Sequence, residues 1–276
     1  MTMNTTESMG GSDTGEEDVE DSLLVISQRE TTLLTIKEAA INEMETRYNQ
    51  NSYHNKAHAL LVQSEATKLS NMVRIEISTV EQQITELAAA AHDVRLDKNP
   101  RDSDYNGQNE RAAAAWLRKK MEATGIFPEE EIQLAEKAIW ATYTKPLPLP
   151  DKSGEWPEET RLHQNQMRLE ENPPHLVSQI LCDADLASLG LEWSIYWTNM
   201  TGFYYELNPD GGTPENWRKY LVMQTRILQH KYYTEAARER YEDNLSSNQM
   251  RVKHMIDKEL EESFTLIKKH APKNVH

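Results

Sequence analysis

The spacing of apolar residues constrains this chain most, because they recur every three to four positions from Leu23 onward. That period is the one an amphipathic α-helix requires. Clusters of Asn, Asp, Pro and Gly separate the periodic segments and predict loops. Patterns typical of strands are scarce, and no fixed repeat occurs. We therefore predict an all-α architecture.

The predicted helices follow one another with short connections. The first runs from Leu23 to about Asn49, and the second starts near Tyr53 and carries both His54 and His58 on one face. The later predicted helices span 71–91, 110–123, 128–143, 175–189, 193–207, 214–229 and 232–269. Segment 94–109 is predicted as a polar loop, and the Pro-rich segment 145–175 as an extended connection over a site.

Composition divides the chain into three parts. Residues 1–22 hold seven acidic residues and no base, so we predict a disordered acidic tail. Residues 23–246 form one helical domain in which 145–175 is a loop insertion. Residues 247–276 form a charged C-terminal helix and tail.

Charge and residue usage exclude several classes of protein. The net charge of −15 argues against broad nucleic-acid binding, which depends on phosphate neutralisation by Lys and Arg. No apolar run is long enough for a membrane span, and the N-terminus lacks the basic-then-apolar order of a signal peptide. Cys182 is the only cysteine, so a single chain forms no disulfide. We expect a soluble, cytoplasmic protein.

Histidine and aspartate stand in apolar settings at three places. His58 lies in the second predicted helix, His92 and Asp93 follow a strongly apolar helix, and Asp185 lies in the apolar run 180–186. A carboxylate in such a setting is costly unless it is paired or bound to metal. Each feature alone is more often a surface pair or a helix cap. Together they predict a site for a divalent transition metal such as Mn, Zn, Co, Ni or Fe, rather than Ca.

The motifs in this order resemble the HD superfamily of metal-dependent phosphohydrolases. Segment 53–58 is similar to the Tyr-His-x-x-x-His motif of a subgroup of predicted phosphohydrolases, and also to the first motif of cyclic-nucleotide phosphodiesterases. The dipeptide 92–93 supplies the His-Asp signature. Segments 109–113, 138–142 and 183–190 resemble the subgroup's Asn-Glu-x-x-Ser-Ala, Ile-x-Ala-Thr and Asp-Ala-Asp-Leu-x-x-Leu-Gly motifs. The resemblance covers roughly residues 28–246 and implies an HD-domain helical bundle with a helical C-terminal extension.

The resemblance implies roles for the matching residues. The implied metal ligands are His58, His92, Asp93 and Asp185. Asp93 is also the ligand that can bridge to a second ion.

Further roles concern the proton and the substrate. His54 matches the phosphodiesterase histidine that protonates the leaving oxygen, and Glu110 would orient the attacking water. Catalytic candidates are therefore His54, Glu110 and Asp93. The substrate-binding candidates are the nearby bases Arg95, Lys98, Arg101 and Arg111, and Asp183.

One departure from the family's pattern narrows the range of metal sites and reactions. HD proteins with two metals supply further histidines after the His-Asp pair, whereas segment 139–143 reads Ile-Trp-Ala-Thr-Tyr. A single metal ion is therefore favoured over a pair with a second ion such as Mg, and oxygenase chemistry is disfavoured.

Three functions stay open. The first is a phosphomonoesterase acting on a nucleotide or another small phosphorylated metabolite. The second is a cyclic-nucleotide-type phosphodiesterase. The third is a catalytically degenerate HD domain that binds a nucleotide or protein partner, as the acidic tail and the charged C-terminal helix suggest. Homodimerisation through that helix is also left open, because its apolar stripe keeps no clean heptad.

Overall fold

The computed structural model describes residues 14–98, 106–143 and 175–269, with side chains from Ser27 onward. The secondary-structure elements in these residues are all helices, with no strand, which confirms the all-α prediction. Its α-helices are α1 Thr14–Tyr48, α2 Lys56–Met72, α3 Thr79–Ala91, α4 Gln108–Glu122, α5 Glu129–Ala141, α6 Leu176–Asp185, α7 Trp193–Leu207, α8 Pro214–Ile227, α9 Glu235–Lys258 and α10 Leu260–Lys269. A 3₁₀ helix, Ala187–Gly190, follows α6.

Helix α3 lies at the centre of the bundle and packs against α1, α2, α5 and α6. Its last four residues, Ala88–Ala91, are alanines with at most 1% exposure. Small side chains let neighbouring backbones approach closely, so the end of α3 lies deep between its neighbours. The residues that follow α3 therefore enter the core, and these are His92 and Asp93.

The chain turns between α2 and α3, where the periodicity predicted one helix over 71–91. Helix α2 instead extends to Met72, and α3 starts at Thr79. The cause is a capping box, in which the Ser78 side chain accepts from the Glu81 backbone and Glu81 accepts from the Ser78 backbone. Ile75, at 92% exposure, lies in the connecting turn.

Helix α1 begins at Thr14, inside the segment 1–22 that we predicted to be disordered. The stretch from Glu16 to Tyr48 contains no Pro and no Gly, so nothing in it interrupts the helix that starts the domain. Residues 1–13 lie outside the described part of the chain. So do 99–105, with Arg101, and 144–174, which includes nearly all of the predicted loop insertion.

The C-terminal region differs from the single predicted helix 232–269. Helix α9 spans the predicted boundary at 246/247, and the chain breaks at Glu259 before α10. Helix α10 packs against α8 and α9, with Ile267 1% exposed. Trp217 Nε1 donates to Ser263 Oγ at 2.9 Å, and the Tyr205 hydroxyl donates to the Ile267 carbonyl at 2.7 Å. The C-terminal helix is thus part of the packed body.

None of the helices in the described residues is both long enough and apolar enough to cross a membrane.

Candidate metal centre

The first histidine of the site, His58, lies in the first turn of α2. Asn55 caps this helix, and its side-chain oxygen accepts from the backbone N–H groups of Ala57 and His58. The prediction that His54 and His58 share one helix is therefore wrong. His54 precedes the cap and lies in the turn that leads into α2. Its approach to the site follows from that turn rather than from helical spacing.

The second histidine, His92, is the C-cap of α3 and is 2% exposed. Its Nδ1 lies 2.9 Å from the Ala89 carbonyl oxygen. A carbonyl only accepts, so Nδ1 carries the proton and donates. In the neutral ring, Nε2 then presents a lone pair to the site, as a metal-binding imidazole requires.

The two carboxylates come from the ends of two helices. Asp93 follows His92 directly, and Asp185 is the last residue of α6. Their side chains are each 16% exposed, beside imidazoles that are 1–2% exposed. Three helix ends thus deliver four polar side chains to one place in an apolar core.

The ligand atoms lie close together. The Nε2 atoms of His58 and His92 are 3.4 Å apart. Asp93 Oδ2 lies 3.4 Å and 3.2 Å from them, and Asp185 Oδ1 lies 3.3 Å and 3.5 Å from them. Adjacent ligands of one ion with bonds of about 2.0–2.2 Å lie about 3.0–3.5 Å apart. The compact group, with all atoms within 4.8 Å, comprises His58, His92 and Asp93, and Asp185 joins it through both imidazoles.

Two buried atoms of the group lack a hydrogen-bond partner among the described residues. They are His58 Nδ1 and Asp93 Oδ2. Asp93 Oδ2 lies near both imidazoles, yet its geometry with them is not that of donor and acceptor. Buried polar atoms are normally satisfied. A divalent cation among the Nε2 atoms and carboxylate oxygens would give Asp93 Oδ2 a partner, and imidazole and carboxylate donors fit a borderline transition metal.

The charges in this cluster shift its pKa values strongly. Burial works to lower the pKa of His92, but Asp93 and Asp185 outweigh it and raise that pKa well above its usual value. Burial works to raise the pKa of Asp93, yet the neighbouring imidazoles lower it to about 2. The pKa of Asp185 is lowered for the same reason. Both carboxylates are therefore ionised at neutral pH and able to bind a cation.

His54 lies beside this cluster and is paired with Glu206 of α7. Its Nδ1 is 2.5 Å from Glu206 Oε1, and Glu206 Oε2 accepts from the backbone N–H groups of Tyr53 and His54. Its ring centroid is 5.8 Å from that of His58. Burial works to lower the pKa of His54, but the hydrogen bond and charge of Glu206, with smaller contributions from Asp93 and Asp185, raise it to about 9.

The sequence did not single out Glu206. One signal was available, since Glu206 is the only charged residue in the aromatic-rich helix α7. Gly202, one turn earlier on α7, lets this helix approach the turn that carries His54. A Cβ atom at Gly202 would lie 2.5 Å from the Ser52 carbonyl oxygen, which is closer than such atoms come.

The three predicted phosphate-binding bases that the structure describes do not form a cluster. Arg95 pairs with Glu43 at 2.5 Å. Arg111 lies over the Trp140 ring, 4.3 Å from its centroid, and donates to a backbone carbonyl. Lys98 is exposed, and its backbone is bonded to the side chain of Asn109.

Two further predictions concern acidic residues. Glu110 lies in the first turn of α4 and is partly buried, and its proposed contact with a water stays a prediction. Asp183 is fully buried and accepts from the backbone N–H groups of Tyr233 and Thr234 and from the Thr234 hydroxyl, at 2.7–2.8 Å. This placement does not support the prediction that Asp183 binds substrate. Asp183 instead holds the loop before α9 against α6.

One more buried histidine was missed. His230, in the loop between α8 and α9, is 6% exposed, and its Nε2 has no hydrogen-bond partner among the described residues. A single histidine in a loop has no periodic pattern that could have revealed it.

Comparison of the chain with protein-family profiles and with curated proteins found no match.

Proposed function

We propose that this chain is a metal-dependent phosphohydrolase of the HD type, acting as a phosphomonoesterase on a nucleotide or another small phosphorylated metabolite. The observation that carries the proposal is the convergence of His58, His92, Asp93 and Asp185, whose ligand atoms lie 3.2–3.5 Å from those of their neighbours. The order of these residues along the chain matches the motifs that suggested the family.

The donor set suits hydrolytic chemistry. When bound, a divalent ion lowers the pKa of its water from 15.7 to about 7 and offsets the charge of a phosphoryl oxygen. The two ionised carboxylates and two imidazoles hold that charge in a buried site, where electrostatic interactions are stronger than in water. The side chains at the ends of α2, α3 and α6 would hold the ion, and this would be the contribution of the fold.

The His54–Glu206 pair supports a second part of the chemistry. Hydrolysis of a phosphate ester releases an alkoxide oxygen that needs a proton. His54, held protonated by Glu206, is placed beside the ligand cluster to donate one. General acid catalysis of this kind typically contributes about 10²–10⁴-fold to the rate. We assign His54 as the general acid and Glu206 as the residue that orients and charges it.

A cyclic-nucleotide diester is the second candidate substrate. The same His54–Glu206 pair favours it, because opening a cyclic phosphate also leaves an alkoxide that must be protonated. A degenerate domain that binds its ligand without turnover would have no need for a charged acid beside the cluster. We therefore rank it third.

The test is turnover by purified protein. The protein is loaded separately with Mn, Co, Ni or Zn and assayed against nucleoside monophosphates, cyclic nucleotides and small sugar phosphates. We expect release of inorganic phosphate from monophosphates, reduced at least about 10³-fold in Asp93→Asn. Cleavage of cyclic nucleotides alone would select the diesterase. No turnover with any metal would overturn the proposal, and ligand binding without turnover would favour the degenerate domain.

A further inference from the structure

The two histidines of the candidate metal centre are supported in different ways. His92 has the usual support of a metal-binding imidazole, because its Nδ1 donates to the Ala89 carbonyl at 2.9 Å while its Nε2 faces the centre. His58 presents its Nε2 to the same centre, but its Nδ1 is buried without a hydrogen-bond partner among the described residues. A contact other than a hydrogen bond must therefore set the orientation of the His58 ring.

An aromatic ring supplies such a contact. The centroid of the Tyr53 ring lies 4.6 Å from that of His58, and the two planes are inclined by 36°. The rings of His92 and His54 lie farther from His58, at 5.4 Å and 5.8 Å, and meet it edge-on. Aromatic pairs interact at centroid distances of about 4.5–7 Å. Among the ring contacts of the described residues, Tyr53 is thus the nearest neighbour of His58, and it restricts the rotation of the imidazole.

This contact depends on the cap of α2. Residues five apart on a continuous helix point to different sides of it. Tyr53 precedes the Asn55 cap, so the turn before α2 can place its ring against the first turn of the helix, where His58 lies.

Tyr53 is itself fixed by contacts on several sides. Its backbone N–H donates to Glu206 Oε2 at 3.0 Å, and its carbonyl accepts from the Asn55 backbone N–H at 2.8 Å. Its ring centroid lies 5.2 Å from that of Phe203 on α7, and its hydroxyl shares a hydrogen bond with that of Ser188 in the 3₁₀ helix. The ring is therefore held firmly enough to orient a neighbouring side chain, as the support of a ligand site must be.

We propose that Tyr53 is a positioning residue of the metal centre, whose ring packs on the His58 imidazole and holds its Nε2 toward the ion, in place of a hydrogen bond to Nδ1. This inference rests on the metal centre of the proposed function and extends it to the residue that orients one of the ligands.

The experiment measures the affinity of the full chain for Mn and for Co by equilibrium dialysis. Tyr53→Leu and Tyr53→Met remove the ring with side chains of different shape, so that the test does not depend on the folding of one variant, and Tyr53→Phe keeps the ring. Trp116→Leu, which removes a partly buried ring that lies beside Lys120 on α4, is the control. We expect both affinities to weaken about 10- to 100-fold in the two variants without the ring, to stay within about threefold of wild type in Tyr53→Phe, and to be unchanged in the control.

The visible absorption spectrum of the Co-loaded protein separates positioning from a structural role. A less stable fold leaves the ligand geometry of the bound ion unchanged, whereas a displaced imidazole alters it and shifts the absorption bands. The spectrum of Tyr53→Leu should move toward that of His58→Ala. Tyr53→Phe should keep the wild-type spectrum, although its melting temperature should fall because the hydrogen bond with Ser188 is lost.

Two results would overturn the role of the Tyr53 ring. The first is a wild-type metal affinity and Co spectrum in the folded variants without the ring. The second is a loss of affinity in Tyr53→Phe as large as that in Tyr53→Leu, which would assign the effect to the hydroxyl.

The two proposals fail in different ways. If wild-type protein binds metal and the variants without the ring bind it equally well, the role of Tyr53 is overturned and the proposed function stands. If wild type binds metal but turns over no phosphate ester, and Tyr53→Leu weakens metal binding as expected, the function is overturned and the role of Tyr53 stands. If wild-type protein binds no metal, both are overturned.

Discussion

Both carboxylate oxygens of Glu206 bind His54, with Oε1 2.5 Å from the imidazole Nδ1 and Oε2 accepting from the backbone N–H groups of His54 and of Tyr53 before it. The carboxylate therefore fixes the backbone, the ring orientation and the charge of the same histidine. Glu206 of α7 thus orients and charges His54, which lies in the turn before α2 and is 152 positions away in the chain.

Glu206→Gln should remove the charge that raises the His54 pKa, and it leaves one acceptor oxygen where the carboxylate has two. A general acid works only while protonated, so activity is lost as pH rises through its pKa, which is about 9. The basic limb of the kcat profile should move to lower pH in the variant, and kcat at pH 8 should fall by about tenfold or more. Asp210→Asn, an exposed acid after α7, is the control.

A double-mutant cycle tests whether Glu206 acts through His54. If Glu206 acts through His54, adding Glu206→Gln to His54→Gln should cause little further loss of kcat. Full additivity of the two losses would contradict the assignment of Glu206.

Gly202→Ala should disturb His54 from a distance. An alanine in an ordinary helix position stabilises by about 1 kcal/mol relative to glycine, but this Cβ would meet the Ser52 carbonyl. We expect a loss of roughly 1–3 kcal/mol in the free energy of unfolding, together with a lower kcat. Urea denaturation and steady-state kinetics measure both. Thr198→Ala, at an exposed position on α7, should change neither, and a stabilised, fully active Gly202→Ala would contradict the close approach.

Because of Glu65, the stability of the fold should depend on pH in the acidic range. Although burial works to raise its pKa, hydrogen bonds from Lys68, Tyr241 and Arg240 lower it. A lowered carboxyl pKa contributes stability that is present above the unfolded-state value of about 4.5 and is lost as pH falls through the folded-state value. The melting temperature should therefore fall on acidification, and less so in Glu65→Gln.

The same substitution tests the link between α2 and α9. Glu65 is 2% exposed, and its Oε2 lies 3.0 Å from Arg240 Nε and 2.7 Å from the Tyr241 hydroxyl. Glu65→Gln should lower the free energy of unfolding at pH 7 by roughly 2–4 kcal/mol. Glu242→Gln, exposed on α9, serves as the control, and equal stability of the two variants would refute the role of Glu65.

Metal binding should stabilise the fold. An ion that binds only the folded state at 100 times its Kd adds about 2.7 kcal/mol of stability. The melting temperature should rise when Mn or Zn is added to metal-free protein, and EDTA should reverse the rise. Asp185→Asn should abolish the shift, whereas Asp257→Asn, an acid of α9 away from the centre, should retain it.

The sequence could single out three residues of the candidate site because each lies at the end of an apolar helix, whereas His58 and the role of all four as metal ligands are what the resemblance to the HD family implies. His92 and Asp93 follow the alanine run of α3, and Asp185 ends α6. Periodicity shows where apolar faces end, and a polar residue in such a place is conspicuous. The same method misplaced His54, because the Asn55 cap begins α2 only after it. The spacing of apolar residues does not show where a capping residue begins a helix, so His54 and His58 looked like a pair on one helix.

Contacts between residues that are far apart in the chain could not be predicted from the spacing of apolar residues. Glu206 reaches His54 only because α7 packs on the turn before α2, and its being the one charged residue of α7 does not show which residue it contacts. Asp183 lies in the same motif as Asp185, yet its side chain turns to the loop before α9. Side chains two positions apart in a helix point in different directions, and the order of residues along the chain does not show which of them faces the site.

The most direct test of the central claim is the metal content of the chain, measured by plasma mass spectrometry after equilibrium dialysis against Mn or Zn. We predict one ion per chain in wild type, and affinity weakened at least about 100-fold in His58→Ala and Asp185→Asn. Undiminished binding in both variants, or no stoichiometric metal in wild type, would contradict the account.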